Sequence, residues 1–344
     1  MFQRQDLESI MIFRQDVILL IVFALLSFCC AVVAVGLGAV EIPFDEVLGI
    51  LLGKTSENPA WNILVEERFL RTMNAFFAGG ALSVVGLVLQ SYFRNPLAGP
   101  GVLGISSGAS LGVAIAIMLP TGLFVGAISQ YFFGLLGAFA VIFFLLLINR
   151  WIKGVTLLVI GLMLSFFTSA FVSTLLNSST DAMMRRYIEW GFGSFGMIQH
   201  DFFWYYISIL FLLLILVHLF FPKILNVWVL GEQMLLESGY KTRGVRLLIL
   251  LVLGTIIALV TVHCGPISFV GIAIPQVARM LLRSTNHSVL IPSSFFLGAL
   301  LAVFADIILR TTDLAIPLNG ILALFGAPII IYVIIKGAKK NVQI

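Results

Sequence analysis

Residues 94–112 read RNPLAGPGVLGISSGASLG. The stretch opens on Arg94, Asn95 and Pro96, then places glycine at 99, 101, 104, 108 and 112. Gly99, Gly101 and Gly104 spell G-x-G-x-x-G, the spacing with which a strand–turn–helix unit cradles a dinucleotide. That use also needs an acid about 20 residues on to hold the ribose. No Asp or Glu occurs between Glu67 and Asp181, so the nucleotide reading fails. Another near-match, Gly49 to Gly53-Lys54-Thr55, has one residue too few between its glycines for a phosphate loop. What the glycines do fit is helix packing. Gly104, Gly108, Gly112 and Ala116 recur every four residues, and such small-residue stripes let helix backbones approach closely in lipid. Gly79, Gly80 and Gly86 thin the preceding apolar run in the same way.

The rest of the chain agrees. Of 344 residues, 60% are hydrophobic and 10% charged, against about 25% charged in an average soluble domain. The apolar runs predict an all-α, polytopic membrane protein with about ten transmembrane helices. They cover roughly 17–40, 73–92, 101–119, 125–148, 155–176, 203–221, 246–264, 266–282, 293–309 and 320–335. Val17 to Val40 is longer than the roughly 7–15-residue apolar core of a secretory signal and is taken as a retained first span. Pro275 predicts a kink in the eighth span, and Cys264-Gly265-Pro266 leaves room only for a tight turn before it. The cysteines, Cys29, Cys30 and Cys264, have no C-x-x-C spacing and read as packing residues. With no linker or low-complexity tract, residues 1–344 form a single integral membrane domain.

Ten spans put both termini on one side. Segments on that side carry fourteen basic and five acidic residues; the opposite side carries six basic and eleven acidic. Cytoplasmic loops are enriched in Lys and Arg, so both termini are expected in the cytoplasm. The net charge of +4 therefore reflects topology and implies no nucleic-acid partner. The longest hydrophilic stretches, 41–68 and 178–201 outside and 222–245 inside, are too short for a soluble domain. Soluble chemistry must come from partner chains.

Six stretches resemble the membrane permeases of ATP-binding-cassette (ABC) importers for iron–siderophores, haem and vitamin B12. They are residues 67–90, 94–112, VLGEQMLLESGY at 229–240, GPISFVGIAIPQVAR at 265–279, GALLAVFADIILR at 298–310 and FGAPIIIYVI at 325–334, in family order. The resemblance implies a permease of the bacterial cytoplasmic (inner) membrane that is not itself an enzyme and binds no cofactor. A second permease copy or a homologue would pair with it, two ATPase subunits would bind ATP and Mg, and an extracytoplasmic binding protein would deliver an iron chelate, haem or cobalamin. Apart from membrane lipid, no further partner is implied.

The resemblance also assigns residues. Arg68, Arg71 and Arg310 would receive acidic groups of the binding protein; Arg185 and Arg186 are a less specific pair on the same side. The residues by themselves also allow local pairing, of Arg68 with Glu66 or Glu67 and of Arg310 with Asp306 four positions earlier. Asn95, Pro96 and Leu97 would form a cytoplasmic gate with the loop at Gly154, Val155 and Thr156; an apolar constriction at Leu97 can close by dewetting. Leu230, Gly231, Glu232 and Gly239 would lie in the segment that couples to the ATPase. Two departures stand out. Leu235, Leu236 and Glu237 replace the small and basic residues usual in that segment, and Gln276 stands where the family usually has histidine.

Two other classes compete. An ion-coupled secondary transporter places acids or histidines within the membrane, and here only Asp306 approaches that position. An intramembrane enzyme needs a metal cluster or nucleophile–base pair, and neither is placed by spacing. His200, His218, His263 and His287 are scattered, which argues against a metal site.

Overall fold

A computed structural model of the chain describes residues 2–118, 126–149, 151–152, 154–197, 200–282, 284–312 and 316–341. Residues 119 and 125, which end two expected spans, lie outside the described residues, as do Arg150, Lys153 and Arg283 of the sidedness argument. The described residues form helices and no strand. In chain order the helices are α1 (Phe2–Gly36), α2 (Phe44–Leu51), α3 (Pro59–Phe93), a 3-10 turn (Pro100–Leu103), α4 (Ile105–Met118), α5 (Ala127–Ile148), α6 (Val155–Asn177) and α7 (Asp181–Gly191). There follow α8 (His200–Leu230), α9 (Glu232–Glu237), α10 (Thr242–Cys264), α11 (Val270–Leu282), α12 (His287–Thr311) and α13 (Leu318–Asn341).

Eight of these are long and apolar enough to cross a membrane: the Gln15–Gly36 part of α1, then α3, α5, α6, α8, α10, α12 and α13. The two remaining expected spans are the shorter helices α4 and α11. At 1.5 Å per residue their 14 and 13 residues reach about 20 Å, short of a hydrocarbon core of about 30 Å. Irregular, partly buried backbone precedes each of them. Before α4 this is the 3-10 turn closed by Gly104 at φ 75°; before α11 it is residues 265–269 in place of a tight turn, with Phe269 at φ 67°.

Other boundaries moved for physical reasons. Helix α3 starts at Pro59, well before residue 73, because Asn58 caps it by accepting from the Ala60 amide at 3.1 Å and Pro59 suits the first turn. Arg68 and Arg71 therefore sit inside a helix, not in a preceding loop. Helix α8 runs through Pro222 to Leu230 instead of ending at 221.

The core is α3, which packs against α12, α11, α8, α10 and α1 and is buried almost continuously from Ala75 to Phe93. Small residues set these approaches. A Cβ on Gly86 would collide with the Gly271 carbonyl of α11, and one on Gly79 with Ala302 of α12. In the glycine stripe, Gly108 and Gly112 lie against the α5 backbone at Gly137 and Phe133, as the four-residue spacing implies. Gly104 belongs to the turn and abuts Gly161 of α6.

Candidate functional site

Hydrogen bonds gather the loops at two ends of the bundle. At one end the turn at Arg94–Leu97 closes α3. Pro96 lacks an amide and cannot continue the helix, and Arg94 adopts the left-handed conformation (φ 50°). The Asn95 amide donates to the Gln90 carbonyl at 3.1 Å, and the Asn95 side chain accepts from the Leu97 amide at 2.9 Å. The turn is rigid by its own bonds, and it holds Leu97 out to the surface at 45% exposure. Val155, at 55% exposure, begins α6 beside Thr156, after Gly154 at φ 61°. No hydrogen bond joins these two segments among the described residues.

The same turn is tied to the segment expected to couple to the ATPase. Arg94 Nη2 donates to the Trp228 carbonyl at 3.0 Å, and Trp228 Nε1 donates to the Tyr92 carbonyl at 3.0 Å. The Tyr92 and Trp228 rings stack with centroids 5.0 Å apart. The Arg246 guanidinium lies 5.8 Å from the Trp228 ring centroid, within cation–π range. Arg246 also pairs with Glu232 of α9 at 2.6 Å. Gly231 (φ 135°) and Gly239 (φ 83°) bracket α9 in conformations that favour glycine. Leu235 of α9 is buried, while Leu230, Met234 and Leu236 are exposed. Glu232, Gly231, Gly239 and Leu230 are thus brought to the end that holds Asn95, Pro96 and Leu97.

Sequence reasoning missed what lies behind the turn. Ser91, His287 and Asn226 form a chain: Ser91 Oγ is 2.7 Å from His287 Nε2, and His287 Nδ1 is 2.8 Å from Asn226 Oδ1. Because Asn226 Oδ1 can only accept, Nδ1 carries the proton, and the single Ser91 proton is shared between Nε2 and the Leu87 carbonyl 3.0 Å away. The order mimics a nucleophile–base–orienter set, but Ser91 and His287 are buried. Arg279 Nη2 points at the serine oxygen at 3.4 Å, occupying a lone pair that an attack would need. The group is structural, joining α3, α8 and α12. The signal available in the sequence was the polar residues Gln90, Gln276 and Arg279 inside apolar runs, because intramembrane polar groups are rarely idle.

At the other end, the expected docking arginines are all committed within the chain. Arg68 does not pair with Glu66 or Glu67; it donates to the Gly36 carbonyl at 3.2 Å and the Val40 carbonyl at 2.6 Å, closing the end of α1. Asp306 on α12 is fully buried between two cations: Arg71 of α3 at 2.8 Å and Arg310, one turn on, at 3.0 Å. The Arg310 contact is an ion pair out of hydrogen-bond alignment. The Arg71 side chain keeps 24% exposure and that of Arg310 only 8%. Arg185 and Arg186 are exposed on α7. That helix is seated on α4 by the buried Trp190, clustered with Val113 and Ala114; Tyr187 lies beside Trp190 with ring centroids 6.0 Å apart, and burial pushes its phenol above the ordinary range. Nearby, the Asn319 side chain donates to the Pro266 carbonyl at 2.7 Å and accepts from the Ser268 amide at 3.0 Å. Asn74 donates to the Phe195 carbonyl at 2.9 Å.

Loops that alternate in the chain thus collect at opposite ends of a helical bundle, and the functional candidates sit at those ends, with no metal-binding group among the described residues. This is the build of a multi-pass transport permease. The chain belongs to the FecCD transport family, whose sequence profile matches residues 20–336. It is 31% identical to the hemin transport system permease protein HmuU of Yersinia pestis over 334 residues, 94% of this chain and 95% of that one. It is also 31% identical to the vitamin B12 import system permease protein BtuC of Salmonella paratyphi A over 297 residues, 85% of this chain and 88% of the other. A solved structure described as an inward-facing conformation of a metal-chelate type ABC transporter superposes with a TM-score of 0.80 at 26% identity, over 93% of this chain and 99% of that one. The protein is a transmembrane permease subunit of an ABC importer, and the secondary-transporter alternative is not favoured.

Proposed function

We propose that two copies of this chain, or one copy and a homologous permease, enclose a pathway for an iron chelate, haem or cobalamin in the bacterial inner membrane. The cargo class follows the relatives named for hemin and vitamin B12 and the metal-chelate neighbour. Both termini face the cytoplasm. Asn95, Pro96 and Leu97 gate the cytoplasmic mouth, meeting Val155 and Thr156 across the pair of permeases. Two ATPase subunits bind ATP and Mg and press on Leu230, Gly231, Glu232 and Gly239, with the exposed Leu230, Met234 and Leu236 as their apolar contact. An extracytoplasmic binding protein docks over Arg68, Arg71 and Arg310. Arg71, the most exposed of the node with Asp306, is the one able to reach an external carboxylate.

One observation carries this reading: Glu232–Arg246–Trp228 runs in unbroken contact from α9 to Tyr92 and Arg94 at the turn. A push on α9 therefore has a stiff route to Leu97, as a rocking or gating transition requires. The test is to reconstitute the permease with its ATPase and binding protein and to replace Trp228 with Ala. Uptake of haemin, cobalamin or a ferric chelate is expected to fall at least about tenfold while ATP hydrolysis persists, the loss of roughly 1.4 kcal/mol of coupling. Uptake unchanged relative to hydrolysis would refute the route.

A further inference from the structure

We infer that Arg279 and Gln276 of α11 form, with Gln90 of α3, an orienting latch that fixes the position of the turn at Asn95–Leu97; this deepens the gate reading and rests on it for its functional meaning. Gln90 and Gln276 are buried. Gln90 Oε1 accepts both from Arg279 Nη1, in a short contact, and from Gln276 Nε2 at 2.9 Å. Gln90 Nε2 donates to the Ile272 carbonyl at 3.1 Å. Gln276 Nε2 makes a second bond, to the Pro96 carbonyl at 3.1 Å.

The directions of these bonds follow from groups of fixed polarity: the donor-only Arg279 and the acceptor-only carbonyls of Ile272 and Pro96. A guanidinium has donors only, so Gln90 must turn its oxygen to Arg279 and its amino group to Ile272. With that oxygen fixed, Gln276 can approach only with its amino group, and the same group then holds Pro96. Arg279 touches neither Pro96 nor Leu97, yet its charge-assisted bond to Gln90 Oε1 strengthens the orientation that the acceptor-only carbonyls of Ile272 and Pro96 also favour. It has no ion-pair partner among the described residues, so the amide oxygen and Ser91 supply its hydrogen bonds. A half-buried cation without a counter-ion is costly unless hydrogen-bonded, which makes the arrangement stiff. Without Arg279, Gln90 loses its charge-assisted bond, and the relay to Pro96 is held only by the neutral bonds to the Ile272 and Pro96 carbonyls, so the turn loosens.

The experiment places a nitroxide at Leu97→Cys in a Cys29→Ser, Cys30→Ser background, with Ile63→Cys at the far end of α3 as the reference position, in lipid nanodiscs with the ATPase bound. Arg279→Met is expected to raise the mobile fraction of the nitroxide at 97 by about tenfold, as for loss of one charge-assisted hydrogen bond, and to leave 63 unchanged. Arg279→Lys, which keeps a donor-only head group, should restore most of the immobile signal. If Arg279→Met does not fold, Gln276→Leu carries the test, because it removes only the amide that reaches Pro96. Unchanged motion at 97 in Gln276→Leu, or no recovery in Arg279→Lys beside a folded, loosened Arg279→Met, overturns the latch. Efflux of trapped carboxyfluorescein from vesicles separates the two claims. A loosened turn without faster efflux leaves the latch standing and removes the gate reading.

Discussion

Asp306 shows how far a single residue can be read from sequence. Its partner Arg310, four positions on, was visible from helical spacing; its partner Arg71 is 235 residues away and could not be. Arg68 illustrates the converse, since the adjacent Glu66 and Glu67 lose it to two backbone carbonyls. The consequence is energetic. A buried anion shared by two cations ties α3 to α12, and removing one partner of a buried pair typically costs about 3–5 kcal/mol. Asp306→Asn is therefore expected to lower the thermal unfolding midpoint in nanodiscs sharply, by an amount equivalent to roughly 3 kcal/mol once the partial exposure of Arg71 is discounted. An Asp306→Leu, Arg310→Met double change should recover much of that loss. A wild-type midpoint for Asp306→Asn would mean that the node holds nothing together. The same geometry bears on docking: Arg310→Glu would set a second carboxylate against Asp306, so lost uptake in that variant reports on folding before it reports on a partner.

Elements were readable where hydropathy alone defines them and unreadable where capping or burial does. The apolar runs gave α5 and α6 within a few residues, but the charged Glu66, Glu67, Arg68 and Arg71 made the first turns of α3 look like a loop. A cap at Asn58 and partners for the arginines override that polarity. In α4 the stripe was legible because only its spacing matters, whereas the partner helix was not, because spacing does not name the surface across from it. The glycines separate into tight and free positions. A Cβ at Gly112 meets the Phe133 carbonyl, while one at Gly101 meets nothing within 4 Å. Gly112→Ala should then force α4 and α5 apart at a cost of about 1–3 kcal/mol, seen as a smaller monodisperse peak in detergent chromatography. Gly101→Ala should be silent. Equal yields from the two would show that the close approach of α4 and α5 is not required.

At the scale of the whole molecule, charge and connectivity make one joint claim. Hydrogen bonds gather residues 90–97, 226–232, 246, 272–279 and 286–287 at one end, and residues 36–40, 68–74, 192–196, 264–268, 306 and 319 at the other. The ten-crossing proposal, in which the short α4 and α11 count as full crossings, expects this grouping. The grouping says which loops share an end, and the Lys and Arg excess is our ground for proposing that the first of these ends meets the cytoplasm. Glu57, between α2 and α3, and Lys241, between α9 and α10, are exposed and belong to opposite ends. In a Cys29→Ser, Cys30→Ser background with the buried Cys264 retained, Glu57→Cys in intact cells should react with a membrane-impermeant maleimide. Lys241→Cys should react only after the membrane is opened. If α4 were re-entrant, four crossings instead of five would separate the two positions and they would label alike. The reverse pattern would set α9 and the Arg246–Trp228 contact on the outer face, where no cytoplasmic ATPase could press on them, and the proposed drive on Leu97 would have to be abandoned with the topology.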